Sequence, residues 1–150
     1  MAIRNILQIG DPTLRKRSFE VTDFGPKTHE LLDDMKQTLI KADGCGLAAP
    51  QVGVLRRIFI VWVDDNYYEC INPKIISTKG VQRGEEGCLS VKGKHGIVSR
   101  PYKVEVSAFD RYGKPFTVKA SGLMARAFCH ENDHLDGIIY VDKVEELQEN

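Results

Sequence analysis

No apolar run in this sequence is long enough to cross a membrane, and the first residues, MAIRNILQIGDPTLRKR, contain no apolar core of the kind a secretion signal needs. A membrane partner is therefore not expected, and a cytoplasmic location is the default. Excess charge is also missing: Lys plus Arg number 21, and so do Asp plus Glu. With no net field, direct nucleic-acid readout and binding to anionic lipid are not expected. The four cysteines, Cys45, Cys70, Cys88 and Cys129, include no CxxC pair. That spacing excludes a zinc ribbon or a thioredoxin-type site, and without a secretion signal the cysteines read as thiols. Internal repeats, low-complexity tracts and Ser/Pro-rich linkers are lacking too, so residues 1–150 read as a single domain. A chain of 150 residues buries about two-thirds of its unfolded surface.

What is present has an α+β pattern. Asp11 and Pro12 open a short helical turn in DPTLRKR. In HELLDDMKQTLIKA, residues 29–42, Leu31, Leu32, Met35, Leu39 and Ile40 form one stripe, predicting an N-terminal amphipathic helix. RIFIVWV, residues 57–63, is β-branched and aromatic and predicts a strand. ECINPKIIS continues in extended form, with Pro73 marking an edge or an irregular step. KVEVSAFD and PFTVKAS alternate apolar and polar residues around RYGK, the pattern of a hairpin. Residues 123–135 predict a second helix, followed by a short strand, GIIYVD, and a polar tail. Strands occur in runs rather than alternating with helices.

The second helix carries His130, Glu131 and His134 in the order H-E-x-x-H. Residues i and i+4 lie roughly 40° apart around a helix, so both imidazoles project from one face and can share a metal ion. Leu123, Ala127, His130 and His134 follow i, i+4, i+7, i+11 spacing, which places the histidines on a core-facing stripe. Glu131 sits on its flank, within reach of a water beside the metal without being a ligand. A catalytic site of this kind takes three protein ligands and keeps one open position. The longer peptidase motif HExxHxxGxxH would place its third histidine at position 140, but that residue is Tyr140. Glu145 and Glu146 remain as downstream candidates. A better one lies upstream in EEGCLS, residues 85–90, where Cys88 would supply a thiolate suited to zinc or ferrous iron. A third segment, GCGLAAPQVG at residues 44–53, has glycines for close backbone approach and the side-chain amide of Gln51.

These three segments, in this order, resemble the motifs of the peptide deformylase family: Gly44-Cys45-Gly46-Leu47-Ala48-Ala49-Pro50-Gln51, Glu86-Gly87-Cys88-Leu89-Ser90, and His130-Glu131-Asn132-Asp133-His134. The similarity runs from about Asp11 to Gly137. It implies an α+β fold with antiparallel or mixed strands wrapped around a central helix that carries HExxH. It also implies a metal-dependent hydrolase that removes the formyl group from the N-terminal formylmethionine of nascent polypeptides near the ribosome exit, acting as a monomer. By position, Cys88, His130 and His134 would hold Fe²⁺, with Ni²⁺, Co²⁺ or Zn²⁺ able to substitute. Glu131 would be the general base and acid, with Gln51 and the backbone N–H of Leu89 as oxyanion donors. Backbone at Cys45, Gly46 and Gly87 would hold the substrate as an extended strand. Glu86 is a candidate partner for Arg100.

Four positions depart from the family pattern: Cys45, where an aliphatic residue is frequent; Cys129, often Gln; Lys92, often Pro; and His95, near a position that often carries a basic residue facing substrate. Two other classes stay open, a zincin-type peptidase and a silent homologue that only binds formylated ends or a structural metal.

Overall fold

The computed structural model describes residues 2–149. Its irregular N-terminal segment is tied to the first helix at a buried carboxylate. Asp34 accepts from the Ala2 N–H at 2.7 Å and from Arg4 Nε at 2.9 Å. Burial would raise the Asp34 pKa, but the Ala2 and Arg4 donors outweigh it and hold the group below the usual carboxylate range. The Asp11 side chain accepts from the Thr13 N–H, and Pro12 opens a single tight turn, Pro12–Arg15, whose Leu14 is buried.

Helix α1, Pro26–Ala42, begins three residues before the expected start because Pro26 supplies a first-turn residue that needs no N–H partner. Leu31, Leu32, Met35 and Leu39 pack on Ile58, Ile60 and Ile71. Ile40 does not join them and is 52% exposed. It sits about 100° around the helix from Leu39, beyond the edge of the apolar stripe.

Among the described residues eight strands follow: β1 (Gly46–Ala48), β2 (Ile58–Val63), β3 (Asn66–Lys79), β4 (Gln82–Cys88), β5 (Val91–Arg100), β6 (Lys103–Phe109), β7 (Pro115–Ser121) and β8 (Glu146–Glu149). They form a five-stranded sheet, β1-β2-β3-β6-β7, and a three-stranded sheet, β4-β5-β8. All strand pairings among the described residues are antiparallel, so the mixed alternative gives way to antiparallel sheets. The β6–β7 hairpin turns where Asp110 accepts from the N–H groups of Tyr112 and Lys114. At Pro73 the β3 register shifts between Ile71 and Lys74, and Asn72 has φ +50°. Proline has no N–H to give the ladder, so a break there is expected. The Asn72 side chain bonds both the N–H and C=O of Val21, which anchors the segment before α1.

Helix α2, Gly122–Leu135, packs against β1, β2, β6 and β7, with Phe128 edge-on to Phe59. Three expectations need correction here. Leu123 is not on a buried stripe: it lies in the exposed first turn, 56% exposed. GIIYVD forms no strand but a tight turn, Tyr140–Asp142. Gly137, at φ +75°, lies so close to the Arg15 backbone that a Cβ would collide with it. Asp142 then accepts from Ile139 N–H and pairs with Arg15, which closes the turn. Finally, the polar tail is a strand, β8, paired with β5. No helix among the described residues is long and apolar enough to cross a membrane.

Candidate active site

The i, i+4 spacing on α2 sets the His130 and His134 rings 5.0 Å apart, centroid to centroid. Cys88 is the last residue of β4, at the turn into β5, and its Sγ lies 3.4 Å from His134 Nε2. One donor atom from each of Cys88, His130 and His134 lies within 4.8 Å of the others. A soft sulfur and two imidazole nitrogens at this separation suit a single zinc or ferrous ion. Glu145, a downstream candidate ligand, instead pairs with Arg83 and Ser99, and Glu146 is an exposed residue of β8.

Behind this cluster lies a charged network. His130 Nδ1 is 2.8 Å from Glu86 Oε1. Arg100 grips the same carboxylate with two donors, at 2.8 and 2.9 Å, and Arg126 adds a third at 2.6 Å. The far edge of Arg100 reaches Asp133 at 2.7 Å, where Lys143 also approaches to 3.1 Å. Burial raises the Glu86 pKa, but Arg100 and His130 overcome it and keep the group ionised. An ionised Glu86 accepts the Nδ1–H of His130, which orients the ring so that Nε2 faces the cluster. Burial and the neighbouring His130 lower the pKa of His134, so it stays neutral with a lone pair to give. The Glu86–Arg100 pair was a candidate contact beside the family resemblance, and Arg126 and Asp133 join it without having been singled out. The available signal was an arginine one helical turn before His130, on a face otherwise made of small and apolar residues.

Glu131 is 4% exposed, and its Oε1 has no hydrogen-bond partner among the described residues. Burial raises its pKa to about 7, against the attraction of His130. Its other oxygen faces β1 so closely that a Cβ on Gly46 would lie 2.6 Å from Oε2. Glycine lets the loop approach this carboxylate without displacing it. The Gln51 amide is also buried: its Oε1 accepts from Ala48 N–H at 2.9 Å, and its Nε2 donates to Ser90 Oγ at 3.0 Å. The same Nε2 is 3.6 Å from Cys88 Sγ. Leu89 occupies the β4–β5 turn, and its side chain rests on Gly44.

These groups border a cleft of about 450 Å³, whose lining includes Cys45, Gly46, Gly87, Leu89, Leu123 and Glu131. Lys92 and His95 also line it, on β5. Cys45 is an exposed thiol whose pKa is raised by partial burial and by Glu131. Cys129, by contrast, is part of the core, and burial pushes its thiol up to about 11. It packs as a small apolar residue.

Antiparallel sheets packed against a helix that carries two histidines and a buried carboxylate, with a cysteine from β4 brought beside them, gather the donor set and carboxylate that a metal-dependent hydrolase would use. The family model for polypeptide deformylase matches residues 3–150. A peptide deformylase of Lachnoclostridium phytofermentans is 56% identical over 147 residues, covering 96% of this chain and 90% of that protein. The crystal structure of a peptide deformylase from Legionella pneumophila superposes with TM-score 0.93 at 41% identity, covering 96% of this chain and 87% of that one. The peptide deformylase of Thermotoga maritima gives TM-score 0.94 at 34% identity, covering 97% and 99%. The chain belongs to the peptide deformylase family.

Proposed function

We infer that this hydrolase removes the formyl group from N-terminal formylmethionine of newly made chains, with Cys88, His130 and His134 as ligands to one divalent cation. The observation that carries it is the convergence of these three donors beside a buried carboxylate, Glu131, that is not one of them. The donor set fits such an ion: each imidazole can offer Nε2, and Glu86 orients His130 from behind, as a carboxylate commonly does for a metal-bound histidine. The family resemblance favours Fe²⁺, with Ni²⁺, Co²⁺ or Zn²⁺ able to substitute. When bound, the cation would supply Lewis acidity, able to bring the pKa of water from about 15.7 to about 7.

The chain's own residues do the rest. Glu131 takes a proton from the attacking water and passes it to the leaving amine. Gln51 Nε2 donates one hydrogen to Ser90 Oγ and the other to Cys88 Sγ, and the second turns from the sulfur to the developing oxyanion, which it holds together with the Leu89 N–H. Each such donor is worth about 2.7–4 kcal/mol of barrier. β1 and β4 are edge strands of their sheets, and both border the cleft. Backbone at Cys45, Gly46 and Gly87 can therefore hold the substrate as an added strand. The methionine side chain enters apolar surface near Leu123 and Ala127, worth about 1.5–3 kcal/mol if fully buried. Residues 1–150 act as one catalytic domain, and the protein works as a cytoplasmic monomer close to where new chains emerge.

Cys88→Ala tests the ligand set. Titrated with Fe²⁺ or Zn²⁺ under anaerobic conditions, the parent should take up one equivalent tightly. The variant should hold it weakly and lose most activity, because α2 contributes only two donors. A variant that binds one equivalent with parental affinity and stays active would remove Cys88 from the site.

A further inference from the structure

Residues 6–9 belong to no helix or strand, yet they run between the two segments that carry Gln51 and Leu89. The Leu7 N–H donates to the Gln51 carbonyl at 2.7 Å, and the Ile9 N–H donates to the Ser90 carbonyl at 2.7 Å. Between them, Gln8 Nε2 donates to the Leu89 carbonyl at 3.0 Å and to its own segment at Ile6 O, 3.3 Å. The Leu7 side chain packs into the cluster formed by Leu14, Val91, Val98, Ile139 and Tyr140, as does Cys88. Three successive residues thus tie together two loops that are 38 positions apart in the chain, Leu89 being 38 beyond Gln51.

The two loops are also joined directly, Gln51 Nε2 donating to Ser90 Oγ at 3.0 Å, but that bond does not reach the Leu89 carbonyl. Gln51 sits in a single tight turn, Ala49–Val52, and the β4–β5 pairing is irregular between Glu86 and Cys88. The Cys88–Val91 pair closes the base of the β4–β5 turn, and the Leu89 carbonyl at its tip takes its hydrogen bond from a donor elsewhere in the chain. Gln8 is the side chain that supplies it. Rotation about the Leu89 Cα would move its N–H away from the position where an oxyanion forms, and an oxyanion donor acts only when aimed at that position.

We propose that Gln8 is a positioning residue for deformylation: its side-chain amide, bonded to the Leu89 carbonyl, holds the Leu89 N–H and the Gln51 amide in register as a pair of oxyanion donors. This rests on the assignment of Gln51 and Leu89 to that role. Gln8 is not among the residues that line the cleft, and its side chain bonds the Ile6 and Leu89 carbonyls, so its loss should act on the transition state rather than on binding. Misplacement of a catalytic group by 1 Å costs up to about 100-fold, and loosening the Leu89 carbonyl while the other ties stay should cost about 10-fold in kcat.

The test uses full-length enzyme with metal loading matched across variants. Gln8→Met keeps the volume and removes the donor, while Gln8→His restores an N–H. The expected result for Gln8→Met is a kcat about 10-fold lower, KM within about 2-fold, and unchanged metal stoichiometry. Gln8→His should recover much of the loss. Gln51→Ala is measured alongside. If Gln51→Ala lowers kcat and Gln8→Met does not, the bracing role is overturned and the donor assignment stands. If neither lowers kcat, the donor assignment fails and takes the bracing role with it. A fall in kcat for Gln8→Met that tracks lost metal or a lowered melting temperature, and that Gln8→His fails to reverse, also overturns it, because a purely structural contact behaves that way.

Discussion

Glu131→Gln should leave the metal in place and stop the reaction. Gln fills the same volume and keeps an oxygen, but it cannot accept a proton from water or deliver one to the departing amine. General acid–base groups contribute about 10²–10⁴-fold, so kcat should fall by about that factor. Cys88, His130 and His134 supply the three clustered donor atoms, and none of them is altered. Metal analysis and formate release on the same preparation check both halves. Loss of the metal together with the activity would make Glu131 a ligand or a scaffold residue, and undiminished turnover would remove it from the chemistry.

Arg100→Met should unfold the site from behind. Arg100 bonds Glu86 through two donors and Asp133 through a third, all within 2.9 Å, and its side chain is 3% exposed. Taking away one partner of a buried ion pair costs about 3–5 kcal/mol, because the other charge stays buried and undercompensated. Arg126 and His130 still reach Glu86, and Lys143 still reaches Asp133, but none of them bridges the two carboxylates. For a domain of this size that loss lowers the melting temperature by on the order of 10 °C. Metal affinity should fall as well, since Glu86 orients His130. Thermal unfolding and metal titration of the variant check this. A melting temperature within a degree or two of the parent would show that the network contributes little.

The features that were legible before the structure share a short range. Two histidines at i and i+4 share a helix face whatever surrounds them, and the alternation in KVEVSAFD and PFTVKAS needs only a turn to become a hairpin. Cys88, in contrast, reaches the histidines through the pairing of β4 with β5, a hairpin that local pattern hides. Gly84, Gly87, Gly93 and Gly96 interrupt the alternation there, and Glu86 and Arg100 point inward because they satisfy each other. GIIYVD is apolar enough for a strand, but the chain must pass Arg15 at Gly137 and close on it through Asp142. β8 has a polar sequence and exists through its pairing with Lys94–Ile97. Gln8 sits in an unpatterned segment, and nothing local distinguishes it. Only the tertiary structure puts it against Leu89.

The most direct test is to follow both possible bonds on one substrate. A formyl carbonyl carries only hydrogen and can enter a site bounded by Gln51, Leu89 and the Cys88–His130–His134 cluster. The carbonyl of an internal peptide bond carries a branched Cα and would clash there. Metal-loaded enzyme is incubated with a formyl-Met-Ala peptide, and formate and peptide fragments are quantified in parallel, with the acetyl-Met analogue as a control. The expected result is one formate per peptide, no internal cleavage, and far slower reaction of the acetyl analogue. Cleavage of an internal bond with no formate released would contradict the central claim.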